Sequence, residues 1–326
     1  MGLVKSTVSA TRYVPRLAGA AAIAWTAYSA LGIGHDVPFP RPVPGESGRL
    51  DTPEAGEVAT YQMGPDDGRR VLLIHGVHAA ASAYDVRPLC TALATRGYRV
   101  TAFDLPGYGH SERGDRRYDP EMMVDATTTV LEKVVQAQSH VVALSLGSEF
   151  AARAALRRPD LVRSLTLISP TGLDASEGGG NPDWIGALLR APIVGQALFD
   201  AVASRPSIEY FLDKSFTGES DAGYRAFAWA SSHQPGARFA PAAFLSGALF
   251  DRNIFDDAYT KIGAPGLVVY DRDAYSSFDR LPELTSLPMW SAARLVPSNG
   301  LPHFELLGDT IDTLERFWGQ ATSHEL

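Results

Sequence analysis

The sequence predicts an α/β fold: a mostly parallel central sheet flanked by helices, with an inserted helical cap. Three observations carry that expectation. Short apolar runs recur along the chain at residues 71–74, 141–144, 165–168 and 267–270, as in strands buried on both faces of a parallel sheet. Helical patterns alternate with them, as in the alanine-rich stretch at 150–156. Between residues 174 and 251 the strand signal stops and aromatic-rich helical stretches replace it.

The chain begins with an apolar segment, taken as residues 1–36. Lys5, Arg12 and Arg16 precede an uncharged, alanine-rich run at 17–34 that includes Ile23, Trp25, Tyr28, Leu31 and Ile33. Eighteen uncharged residues stand at the lower limit for a membrane span. The basic flank fits a signal peptide, with small residues for cleavage around Ala27-Tyr28-Ser29, or an anchor. The alanine content equally fits a peripheral helix lying on the body. Membrane association through 17–34 or secretion is therefore expected, with a cytoplasmic protein as the alternative. Met1-Gly2 and Ser6 match a short myristoylation pattern that carries little alone.

Residues 37–55 read as a semi-rigid connector, because Pro38, Pro40, Pro42 and Pro44 favour an extended chain. Residues 57–63 alternate as an opening edge strand. Residues 56–173 and 252–326 are assigned to the α/β core, and 174–251 to the cap. The glycines and Asn181-Pro182 at 178–182 open that cap. Trp184, Leu188, Phe199, Tyr210, Phe227 and Phe244 are mostly cap core, with a few expected to line an apolar pocket.

Composition narrows the function. The chain has 326 residues, 45% hydrophobic and 20% charged, enough for one large α/β domain with an insertion. A net charge of −8 and a pI near 5.5, with no Lys/Arg stripe, argue against a nucleic-acid partner. The single cysteine, Cys90, cannot form an intramolecular disulfide, and between Leu89 and Leu93 it reads as a core thiol. Metal-ligand spacing is missing from the sequence, so neither a metal nor an organic cofactor is expected.

The chemistry starts at residues 141–149. An apolar run meets Ser145, Gly147 follows two residues later, and a helical pattern begins. A serine in such a strand–turn–helix is pushed out of the backbone beside a helix N-terminus, where the next N–H can hold an oxyanion. The sequence there is A-x-S-x-G, with Ala143 in place of the usual first glycine. Upstream, the run at 71–74 leads into His75-Gly76-Val77-His78, and 97–103 leads into Asp104-Leu105-Pro106-Gly107-Tyr108-Gly109-His110-Ser111. Downstream, 266–270 leads into Asp271-Arg272-Asp273, and Gly300-Leu301-Pro302-His303-Phe304 stands near the end. Serine, aspartate and histidine thus follow in that order, each after an apolar run.

Over roughly residues 70–318 this set of motifs resembles the α/β-hydrolase family, in which nucleophile, acid and base follow in that order. Ala143, Leu144 and Ser148 depart from common residues of the family and bear on the subfamily. The resemblance implies Ser145 as nucleophile, His303 as base and then acid, and Asp273 as the orienting carboxylate. Asp271 is the alternative acid, and Asp174 a lesser one. The N–H groups of Val77 and Leu146 would form the oxyanion hole, and His78 and Leu144 would contact substrate. His75, Asp104 and His110 read as braces of their loops rather than as chemistry. A serine nucleophile implies ester cleavage through an acyl-enzyme, with a small apolar acyl substrate suited to the cap. Carbon–carbon bond hydrolysis by the same triad, and a non-catalytic ligand receptor on the same fold, are the alternatives.

Overall fold

The computed structural model describes residues 7–175 and 183–323, and eight strands in it form one sheet. They are β1 (Glu46–Thr52), β2 (Gly56–Met63), β3 (Arg70–Ile74), β4 (Arg99–Phe103), β5 (Ser139–Leu144), β6 (Val162–Ile168), β7 (Gly266–Arg272) and β8 (Trp290–Asn299). Their order is β1-β2-β4-β3-β5-β6-β7-β8. The β1/β2 and β2/β4 pairs are antiparallel, and all later pairs are parallel.

Helix α1 (Thr7–Gly32) precedes the sheet. Helices α2 (Arg87–Thr95), α3 (Pro120–Val130) and α4 (Gly147–Arg157) follow β3, β4 and β5. Six helices lie between β6 and β7: α5 (Asp183–Arg190), α6 (Val194–Val202), α7 (Arg205–Asp213), α8 (Ala222–Ser232), α9 (Phe239–Leu245) and α10 (Ile254–Asp257). Helix α11 (Leu281–Thr285) joins β7 to β8, and α12 (Pro302–Glu305) and α13 (Leu307–Ser323) close the described chain.

The interior has two layers, one on each face of the sheet. Leu72, Ile74, Val141 and Ala143 pack toward Met123, Val124, Phe150 and Ala154 of α3 and α4. Val71, Leu73, Val142 and Leu144 pack toward Leu89, Leu93, Leu314 and Trp318 of α2 and α13. Successive strand residues feed opposite layers because side chains alternate across a strand. β3 and β5 are buried on both faces, which is why they read as unbroken apolar runs. Local chemistry starts the helices: Asp119 accepts a hydrogen bond from Met122 N–H (3.0 Å) ahead of Pro120 at the first turn of α3. Cys90 is buried in the second layer, and burial pushes its thiol up to about 12.

Two strands escape the sequence reading, and both are edges. β1 occupies the second half of the stretch expected as connector, so β2 is an inner strand and not the opening edge. β1 has one neighbour and is mostly exposed, so hydrophobic alternation is not required of it; backbone pairing with β2 makes it a strand. β8, at the opposite edge, alternates only weakly between burial and exposure and contains Pro297. Only the connector before β1 keeps the extended, proline-rich character.

The second half of α1 lies against the cap. Trp25 Nε1–H donates to the Ala197 carbonyl (2.7 Å), Ser29 Oγ–H donates to Asp200 (2.5 Å), and His35 Nε2 meets the same carboxylate at 3.0 Å. Ile23 and Leu31 face solvent, at 73% and 89% exposure. Among the described residues no single helix is long and apolar enough to cross a membrane. Met1, Gly2, Lys5, Ser6 and the glycine-rich opening of the cap at 178–182 lie outside the described residues.

Candidate active site

β5 ends at Leu144, and the chain turns sharply at Ser145, whose φ of 50° is left-handed and strained for a serine. The turn is pinned on both sides. Ser145 N–H donates to the Ile168 carbonyl at the end of β6 (2.9 Å), and Ser148 N–H donates back to the Ser145 carbonyl (3.0 Å). α4 then departs from Gly147. A Cβ at Gly147 would lie 2.4 Å from the His75 carbonyl oxygen, so only glycine lets the helix approach the loop after β3 this closely. Ala143 sits inside β5, paired between Ile74 and Leu167, where a methyl group is accommodated. The geometry therefore needs the second glycine of the motif and tolerates alanine at the first.

The loop after β3 runs alongside the serine. A Cβ at Gly76 would lie 3.4 Å from Ser145 Cβ, which places the following Val77 beside the turn. No hydrogen bond from Val77 N–H or Leu146 N–H to another group of the chain occurs among the described residues. His75 braces this loop from beneath. It is fully buried, Nδ1–H donates to the Gly76 carbonyl (2.5 Å), and Nε2 accepts from Leu105 N–H (2.9 Å). Burial holds its pKa below the ordinary histidine value. Asp104 ties the next loop together by accepting from Tyr61 Oη–H (2.6 Å), Ala83 N–H (2.7 Å) and His110 N–H (2.8 Å). His110 itself donates to the Pro40 carbonyl (3.0 Å) and stacks on Phe39. All three residues have places as loop braces.

The two aspartates at the end of β7, Asp271 within its last residues and Asp273 just after it, have different surroundings. Asp271 is buried and engaged, accepting from Arg294 Nε–H (2.8 Å) and Ser298 N–H (3.0 Å), both on β8. Asp273 turns back on its own loop, with Oδ1 accepting from Tyr275 N–H (2.7 Å) and Ser276 N–H (3.1 Å). Its Oδ2 has no protein donor among the described residues and lies 3.1 Å from where a Cβ on Gly300 would stand. Burial raises the Asp273 carboxyl above its ordinary value. Its free oxygen thus faces the loop that carries His303. Asp174 accepts from Ser277 N–H (2.8 Å) in the adjoining loop.

His303 is fully buried at α12, but no hydrogen bond joins it to Ser145 or Asp273 among the described residues. Its Nε2–H donates to the backbone carbonyl of Asp85 (2.6 Å), while Nδ1 is buried without a partner. Burial pushes the imidazole down to about 4, so it is neutral at pH 7. The tautomer needed for a relay is the opposite one, with Nδ1–H toward a carboxylate and a bare Nε2 toward the serine. The fold brings all three residues to the carboxyl ends of β5, β7 and β8, and holds the imidazole parked on Asp85.

Asp85 is a site residue that the sequence reading missed. Its buried carboxylate accepts from Tyr224 Oη–H of α8 (2.7 Å) and contacts His78 Nε2 (3.2 Å). Tyr224 in turn stacks on Phe304, the neighbour of His303. One residue thus links the cap, His78 and the imidazole. An acid following the apolar stretch 79–84 was the available signal. His78 is half-exposed beside Asp85, whereas Leu144 is buried in the second core layer, its side chain 3.5 Å from where a Cβ on Gly76 would stand. Glu149, in the first turn of α4, was also missed. It accepts from Thr171 Oγ1–H and from Asp251 N–H (2.9 Å), which flank the cap on either side. Burial pushes its carboxyl up to about 8. Among the described residues no three His, Cys, Asp or Glu side chains are grouped to hold a metal ion.

A strained serine between strand and helix, on a sheet of this order, defines an α/β-hydrolase fold. The comparisons agree on the fold: the family model described as alpha/beta hydrolase fold matches residues 69–203 of this chain. An esterase of Mycobacterium tuberculosis is 34% identical over 119 residues, 36% of this chain and 38% of that protein. A 2-hydroxymuconate semialdehyde hydrolase of a Pseudomonas species is 32% identical over 107 residues, 32% of this chain and 38% of that one. The chain therefore spans well under half the length of each of these two relatives. A solved structure of a putative aryl esterase from Burkholderia cenocepacia superposes with a TM-score of 0.68 at 17% identity, covering 85% of this chain and all of that one.

Proposed function

We propose that the protein is a serine hydrolase that cleaves carboxylic esters through an acyl-enzyme intermediate. The observation that carries this reading is Ser145 at a φ of 50°, beside two backbone N–H groups with no partner among the described residues. Ser145 Oγ attacks the ester carbonyl and passes its proton to His303 Nε2. The tetrahedral oxyanion is held by Leu146 N–H and Val77 N–H, and one such donor lowers the barrier by roughly 3–4 kcal/mol. His303 then gives the proton to the departing alcohol, and water, activated by the same imidazole, releases the acid. Asp273 holds Nδ1–H and offsets the imidazolium charge. For this cycle His303 leaves the Asp85 carbonyl and turns toward Ser145. Phe304 beside His303, stacked on Tyr224 and edge-on to Phe216, supports an apolar acyl or alcohol group.

Hydrolysis of a carbon–carbon bond beside a ketone uses the same three residues, and the likeness to the muconate semialdehyde hydrolase keeps it as the second reading. Membrane association belongs to the same proposal: the cap-bound α1 presents Ile23 and Leu31 to a lipid surface, whereas a cytoplasmic protein would leave them in water. The test is a panel of p-nitrophenyl esters of rising acyl length together with a fluorophosphonate probe and peptide mapping. Probe on Ser145 and ester turnover abolished by Ser145→Ala are expected. An unlabelled Ser145 in a protein that turns over no ester would instead support a ligand receptor.

A further inference from the structure

Away from the serine, the connector, the turn before α2 and the cap enclose an open cleft of about 440 Å³. None of the residues assigned to acyl transfer lines it. Its walls carry Arg41 from the connector, Arg87 from the first turn of α2 and Arg205 from the start of α7, with Tyr84, Phe227 and Trp229 between them.

Among the described residues these arginines are held without a carboxylate, as are Arg69, Arg113 and Arg238, which lie over rings elsewhere in the chain. Most of its surface guanidinium groups are neutralised: Arg49, Arg157, Arg158, Arg225 and Arg280 each pair with at least one carboxylate. Among the described residues no carboxylate pairs with Arg41, Arg87 or Arg205, although the chain carries eight more acidic than basic side chains. Aromatic rings position two of them instead. Arg205 lies 4.4 Å from the centroid of Trp229, and Arg87 lies 5.2 Å from that of Tyr84. Arg87 also donates through Nη1 to the Pro42 carbonyl (3.1 Å). The acid beside Tyr84, Asp221, is committed to the N-cap of α8, accepting from Tyr224 N–H (2.6 Å).

A guanidinium stacked on a ring keeps its full charge and leaves in-plane N–H donors free. Two stacked guanidinium groups and the Arg41 charge around one cleft favour the entry of an anion. A phosphate offers several acceptor oxygens and up to two negative charges, which matches a convergent set of planar forks. The half-buried rings of Tyr84 and Trp229 between them suit the organic body that carries it. We propose that this cleft binds the phosphate group of an organic phosphate. That chemistry has two sources, a soluble phosphate ester or the headgroup of an anionic phospholipid. The inference does not depend on the acyl-transfer reading.

The test uses the full chain with two probes at low ionic strength. Calorimetry measures glycerol 3-phosphate, and flotation measures vesicles of phosphatidylcholine with and without phosphatidic acid. Arg205→Gln, Arg87→Gln and the double variant are compared with Arg280→Gln, which lies outside the cleft, and circular dichroism checks that each is folded. Binding of at least one probe is expected, weakened about tenfold by each cleft substitution, more by the pair, and further by salt. Arg280→Gln should bind as the parent does. Glycerol 3-phosphate alone identifies a soluble ligand, and phosphatidic acid vesicles alone identify a headgroup; either supports the site. If the folded parent binds neither probe, or if the cleft variants bind as tightly as Arg280→Gln, the proposal is overturned.

Discussion

The two halves of the candidate site are built differently. The nucleophile half belongs to the core: Ser145 is fixed by backbone hydrogen bonds to β6 and α4, and by the close approach that Gly147 permits. The base half is coupled to the cap: His303 is parked on Asp85, and Asp85 is tied to Tyr224 of α8. The first half is set whatever the cap does, because packed sheet ends have one arrangement. The second holds the wrong tautomer for a relay until the imidazole is released. On the proposed reading, resting reactivity is limited at the base, while the turn that carries Ser145 is already assembled.

The sharpest way to break this comparison is to remove each half in turn. Ser145→Ala should lower kcat/KM on short acyl esters by about 10⁴-fold or more, with the melting temperature unchanged or raised as the strain of the turn is relieved. Next in size is the contrast between the two aspartates. Asp273→Asn should cost about 10²–10⁴-fold in kcat/KM, since it removes the partner of Nδ1–H. Asp271→Asn should cost under tenfold in rate but about 1–2 kcal/mol in stability, since it loosens the tie between β7 and β8. Equal rate losses at both positions would blur the assignment of the acid.

Tyr224→Phe isolates the cap's hold on the base. It removes the hydroxyl that Asp85 accepts from, and a change of about two- to tenfold in kcat/KM with little change in melting temperature is expected. Burial also sets the acid limb of kcat/KM for the parent. His303 is pushed below the ordinary histidine value, so the base stays unprotonated to lower pH and the limb should fall below pH 6.5.

The smallest effect is on stability. Glu149 is raised to about 8 in the folded chain from a reference value of 4.5, so the folded state binds more protons between those values. Its contribution to stability is present in full below about pH 4.5 and declines as pH rises toward 8. Glu149→Gln should flatten the fall of melting temperature across that window by a few degrees, as thermal melts across pH would read. An unchanged slope would remove Glu149 as its source.

The same division explains what the sequence made legible. Central strands and the nucleophile turn are readable because burial on both faces demands unbroken apolar runs, and because the close approach of α4 to His75 demands Gly147. β1 and β8 escaped because an edge strand is held by backbone pairing, which leaves weak side-chain patterning. Asp85, Tyr224 and Glu149 escaped because a buried polar group is found by its partner, and their partners lie far along the chain. The choice between Asp271 and Asp273 needed the same long-range information: one faces Arg294 across a strand pair, and the other faces Gly300. The apolar run at 17–34 marked a helix, but its place on the cap depends on Asp200.

The most direct test is a crystal structure of the protein after reaction with an alkylphosphonate that mimics the tetrahedral intermediate. The account predicts phosphorus on Ser145 Oγ, its oxyanion facing Val77 N–H and Leu146 N–H, and His303 swung off the Asp85 carbonyl with Nδ1 against Asp273. Phosphorus on another residue, or on Ser145 with His303 still bonded to Asp85, would contradict it.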